Sequence, residues 1–116
     1  MGDIMKTYKQ FHGEIEINQI GKELRTIIKT EQNNFKILTG YGSTSGKSLS
    51  KQAVIKSLSK LKKEGLIKGF LPGEVKYQLI NSNSYLYEDK MKYSDIIKND
   101  SDFGNEGVIF VFMKSN

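Results

Sequence analysis

Residues 39 to 48 read Thr-Gly-Tyr-Gly-Ser-Thr-Ser-Gly-Lys-Ser, a run of glycines, hydroxyls and one lysine set between an apolar stretch and a helical stretch. Glycines let backbone N–H groups approach an anion that side chains would exclude, and a helix that starts behind them points its partial positive end at the same place. The chemistry this pattern suits is phosphate holding. Gly46-Lys47-Ser48 is the tail of a P-loop, but that motif needs a further glycine five positions before Gly46, and Tyr41 stands there. Gly40 and Gly42 flank it one residue out of step, so a nucleotide cofactor is not expected. Gly40, Tyr41, Gly42 and Lys47 are instead candidate contacts to the phosphates of a polymer, with Tyr41 placed to stack on an unpaired base.

His12 is the only imidazole and the only side chain whose ordinary pKa suits proton transfer near neutrality, which makes it the one candidate catalytic residue. Its structural reading is a residue ending a strand beside Gly13. Glu14 and Glu16 follow closely, though two isolated acids before a helix are usually solvated. With no cysteine, neither a disulfide framework nor a thiolate zinc site can form. No cofactor is expected, and a divalent metal would be needed only if the chain cuts phosphodiesters.

The elements that must position these residues follow from the apolar periodicity. Alternation from Lys6 to Phe11 predicts a half-exposed strand stopping at His12-Gly13. Ile20, Leu24, Ile27 and Ile28 predict a helix from about Asn18, as N-cap, to Glu31. Phe35 to Leu38 is a short strand delivering the glycine run, and Leu49, Ala53, Val54, Leu58 and Leu61 place a helix over residues 47 to 64 with Gly65 as its stop. A third strand is expected over residues 66 to 71. The β-branched and aromatic run from Val108 to Met113 reads as a strand buried on both faces. Residues 73 to 102 are read as an insertion or mobile excursion, with Val75 to Leu79 a candidate edge extension and a short helix around residues 88 to 99.

At 116 residues the chain fits one domain, and its charge is unevenly placed. Residues 36 to 68 hold eight lysines (36, 47, 51, 56, 60, 62, 63 and 68) against Glu64 alone, whereas the remainder is balanced or acidic. Lys47, Lys51 and Lys56, nearest the glycines, are the first candidates for phosphate contact. Seventeen of the eighteen cations are lysine, with Arg25 the exception, and this suits phosphate attraction better than bidentate base recognition. No apolar run approaches the roughly 20 residues needed to span a bilayer, and no basic-then-apolar secretory order opens the sequence. The expectation is a cytoplasmic protein with no membrane partner.

The order strand, helix, strand, glycine loop, basic helix, strand, long excursion, Gly-Val strand resembles the Smr (small MutS-related) domain. The residues carrying the likeness are His12-Gly13, Thr39-Gly40-Tyr41-Gly42 and Gly104-Asn105-Glu106-Gly107-Val108, with Gly13, Gly104 and Gly107 as structural glycines. The resemblance covers the chain apart from the excursion and implies an α/β, two-layer α+β sandwich: a four-stranded mixed sheet in β-α-β-α-β-β order with two helices on one face. It also implies a DNA or RNA partner and, in some members, endonuclease activity. Gln10 stands where the family's first motif carries an acid, and Thr39 where its second motif carries histidine. These departures favour binding over cutting. The nicking enzyme through His12 is the alternative, and a module docking through the tyrosine-rich 73 to 102 segment is a further one. The layout is also similar to the Alba class of nucleic-acid-coating proteins, which again implies binding without catalysis.

Overall fold

A computed structural model describes residues 5 to 39 and 49 to 114. Its elements are β1 (Lys6–Tyr8), α1 (Ile20–Thr30), β2 (Phe35–Leu38), α2 (Leu49–Lys63), β3 (Gly69–Pro72), α3 (Tyr87–Ile97) and β4 (Val108–Phe112), with short 3-10 turns at Ile17–Gln19 and Gly73–Tyr77. The strands form one mixed sheet in the order β1-β2-β4-β3. β1 runs parallel to β2, and β4 is antiparallel to both of its neighbours. The structure is therefore α+β, an open four-stranded mixed sheet with three helices, in agreement with the expected class.

β4 is central, and all five of its residues are buried, as a continuous apolar strand requires. Register sorts the side chains onto two faces. Phe35, Ile37, Phe70, Ile109 and Val111 share one face; Lys36, Leu71, Val108, Phe110 and Phe112 share the other. α1 and α2 cover the first. They bury Ile20, Leu24 and Ile27 from one helix and Val54, Leu58 and Leu61 from the other. An Arg25–Glu64 ion pair at 2.9 Å joins them at the surface.

The second face is closed by residues 87 to 103. Tyr93 stacks on Phe112 with ring centroids 4.6 Å apart, and Phe103 meets Phe110 edge-on at 6.1 Å. Residues 75 to 79 do not extend the sheet: the chain turns at Gly73 into the 3-10 turn, which buries Val75. Gly73 lies so close to the backbone of residues 102 to 105 that a Cβ there would collide with the Asn105 carbonyl oxygen.

Three boundaries differ from the periodicity. β1 ends at Tyr8 because the chain coils, with His12 N–H donating to the Lys9 carbonyl and Glu14 N–H to that of Gln10, and this turns Phe11 into the core. Asn18 does not cap α1; the 3-10 turn runs straight into the helix and Gln19 N–H is met by the Glu16 carbonyl at 2.9 Å. β3 starts at Gly69 rather than residue 66 because Gly65, at φ 79°, closes α2 with Leu66 N–H donating back to the Leu61 carbonyl.

Candidate nucleic-acid interface

Since β2 and β3 both run against β4, the carboxyl ends of β1, β2 and β3 share one end of the sheet with the start of β4. The glycine run leaves from this end. Gly40, Tyr41, Gly42 and Lys47 lie outside the described residues. Its root is described: Thr39 is buried, and both its N–H (2.8 Å) and its hydroxyl (3.3 Å) donate to the Gly107 carbonyl. The residue before the glycine run is thus a threonine held to the start of β4.

Gly104 and Gly107 lie in the turn leading to β4. Gly104 adopts φ 118° beneath the Tyr77 ring, a conformation and a space that both favour glycine. The Gly107 N–H also donates to Asn105 Oδ1 at 2.9 Å. Gly13, at φ 90°, completes the coil after β1. His12 in that coil is exposed. The parallel pairing of β1 with β2 sets the His12 coil and the Thr39 loop at the same end of adjacent strands.

The basic segment does not present its lysines uniformly. Lys36 is buried on the second face, its ammonium 2.8 Å from Asp102 and 3.2 Å from Asp100. Burial alone would lower its pKa, but the hydrogen bonds and charges of the two aspartates outweigh that and hold it above the ordinary lysine value. Lys51 reaches Glu74 at 2.5 Å and the Glu106 carbonyl at 2.8 Å. Lys62 pairs at 2.9 Å with Asp89, which is itself buried and accepts the Phe70 N–H at 3.1 Å, closing the open edge of β3. Gly69 makes room for that carboxylate, since a Cβ there would stand 2.6 Å from Asp89. Glu74, Asp89, Asp100 and Asp102 all come from residues 73 to 102, so this acidic stretch neutralises the inner lysines of the basic one.

Lys56, Lys60 and Lys63 are exposed, and among the described residues none takes part in an ion pair. They stand at i, i+4 and i+7, one stripe on the side of α2 opposite Val54, Leu58 and Leu61, with Gln52 continuing it toward the glycine run. Of the residues singled out for phosphate contact, Lys56 lies on this stripe, whereas Lys51 would have to leave Glu74 to reach a ligand. Lys60 and Lys63 were legible as stripe members from helical spacing once the apolar face was assigned.

Beside the stripe, Ser59, Lys62, Lys63, Phe70 and Tyr85 line an open, mostly apolar groove of about 290 Å³. Tyr85 is 59% exposed, its ring tilted 42° against Phe70 at 6.3 Å. Burial, and then the charge of Glu74, raise the pKa of its phenol above the ordinary value. Elsewhere on the excursion Tyr77, Leu79, Tyr87 and Met91 are exposed. Among the described residues no helix is long and apolar enough to cross a membrane, and no group of three or more histidines and acids is arranged to hold a metal ion. Comparison of the chain with protein-family models, with curated proteins and with solved structures returned no match.

Proposed function

We propose that this protein is a nucleic-acid-binding domain that contacts phosphates through the glycine run of residues 40 to 48 and the lysine stripe of α2, with little sequence specificity. The observation that carries the reading is the stripe itself. Lys56, Lys60 and Lys63 are exposed on one helical face and take part in no ion pair among the described residues, while Lys36, Lys51 and Lys62 are engaged internally. A linear array of ammonium groups matches a linear array of phosphates, and an array of lysines with only Gln52 beside it lacks the arginines that read guanine edges. A cytoplasmic location accords with such a partner. The test is equilibrium binding of a single-stranded and a duplex oligonucleotide at increasing salt. Affinity should fall linearly on logarithmic axes through counterion release, and a flat response or no binding to either refutes the reading.

An Smr-type endonuclease is the second reading, favoured by the shared sheet end that holds the His12 coil and the Thr39 loop. His12 would act there as the proton-transfer group. Labelled RNA and supercoiled DNA incubated with wild type and His12→Ala, with and without Mg²⁺, separate the two. Cleavage that disappears with His12→Ala establishes the enzyme; intact substrate under all conditions leaves binding.

A further inference from the structure

The groove beside the stripe has features that phosphate contact does not require. Its floor and wall are aromatic, Phe70 and Tyr85, and its rim is cationic, yet its two lysines differ in state. Lys62 is locked to buried Asp89, so it serves as a wall, whereas Lys63 is exposed and is the last member of the stripe. Ser59 and Lys63, one helical turn apart, make the groove continuous with the lysine row. A volume of about 290 Å³ lies at the small end of ligand sites, suited to one planar group rather than an extended molecule.

We infer that this groove is a base-stacking subsite for single-stranded nucleic acid: the strand's phosphates follow Lys56, Lys60 and Lys63, and one unpaired base turns inward to lie on the Tyr85 ring with its edge toward Ser59. The inference rests on the phosphate-binding reading and adds to it a preference for unpaired strands. Charge complementarity names the occupant, since a neutral apolar ligand would gain nothing from a lysine rim and a bare anion nothing from the aromatic wall. Base-on-aromatic stacking tolerates any sequence, because every base has a π face. A duplex keeps its bases paired and cannot fill the groove.

The test compares a single-stranded oligonucleotide with an abasic strand of the same length and charge. Wild type should bind the base-bearing strand about tenfold more tightly. Tyr85→Leu should reduce that preference while leaving the affinity for the abasic strand and the salt slope unchanged, and Ser59→Leu, which fills the groove from α2, should do the same. Because the chain has no tryptophan, Tyr85→Trp supplies a single reporter whose emission should be quenched by the base-bearing strand alone. Equal wild-type affinity for the two strands, or a preference undiminished in both leucine variants, overturns the subsite while phosphate binding stands. Binding of neither strand overturns the phosphate reading and the subsite together.

Discussion

Replacing Lys56, Lys60 and Lys63 together with glutamine should weaken binding to a single strand by a calculable amount. The helical rise of about 1.5 Å per residue sets the three positions about 6 and 4.5 Å apart along the axis, close enough for one strand to meet all of them. On single-stranded nucleic acid each neutralised phosphate contributes roughly 0.7 to the slope of log affinity against log salt. Removing three contacts should therefore make the slope shallower by about 2, which between 1 M and 0.1 M salt amounts to about 100-fold in affinity, or roughly 3 kcal/mol. All three side chains are exposed and form no ion pair among the described residues, so the fold should lose no more than about 0.5 kcal/mol. Fluorescence anisotropy of a labelled oligonucleotide, titrated at several salt concentrations, measures slope and affinity together. Lys51→Gln is the internal comparison: its ammonium faces Glu74 and the Glu106 carbonyl, so it should leave the slope alone. An unchanged slope in the triple variant, or a slope change with Lys51→Gln as large as the triple variant's, refutes the assignment of the stripe.

Three further outcomes concern the frame that holds the stripe. Asp89→Ala removes the acceptor of the Phe70 N–H and the partner of Lys62, and should lower unfolding free energy by about 2–4 kcal/mol in a denaturant titration, with Asp89→Asn costing less because it keeps an acceptor. Lys36→Met strands two carboxylates that are partly exposed, so it should cost about 2 kcal/mol rather than the larger penalty of a fully buried pair; since the folded pKa of Lys36 is raised, the stability it adds is complete below its ordinary value of 10.5 and should fade as pH climbs above that in wild type but not in Lys36→Met. Burial and then the hydrogen bond to Glu31 push the Tyr8 phenol up to about 12 from 10.0, so its share of stability is complete below pH 10.0 and is lost between there and about 12; tyrosinate absorbance should show a late step that Tyr8→Phe removes.

How far the sequence reveals this frame depends on the range of the interactions involved. The apolar rows of α1 and α2 and the unbroken apolar run of β4 are local patterns, and each appears as an element at nearly the expected place. Boundaries set by a single backbone event were less accessible: the coil after Tyr8 and the 3-10 entry into α1 leave no periodicity, while the Gly65 stop does and was readable. The two faces of the sheet were not readable at all. Phe112 needs Tyr93, which α3 brings across the second face, and Lys36 needs Asp100 and Asp102, more than sixty residues away in the chain. For the site, helical spacing alone places Lys56, Lys60 and Lys63 together. The neutralisation of Lys36, Lys51 and Lys62, by contrast, is a long-range fact.

That neutralisation changes what the charge asymmetry of the sequence means. Eight lysines within residues 36 to 68 suggest a diffuse positive field, and a diffuse field attracts phosphate without orienting it. The carboxylates of residues 73 to 102 remove the inner members of the set: Asp100 and Asp102 take Lys36 on the second face, Glu74 takes Lys51 at the sheet end, and Asp89 takes Lys62 at the β3 edge. What remains along the described part of α2 is one row of cations with a direction. On the proposed reading, a strand lying on that row would run at one end toward the start of α2 and at the other toward Tyr85. The acidic excursion, itself a poor partner for nucleic acid, would thus be the part of the chain that gives a basic helix its polarity. Reversing one of its acids tests this directly: Glu74→Lys should frustrate Lys51 and add positive potential at the sheet end, raising affinity for a single strand at low salt while reducing the difference between base-bearing and abasic strands. An increase in affinity with that difference intact would show that the excursion only balances charge and does not direct the strand.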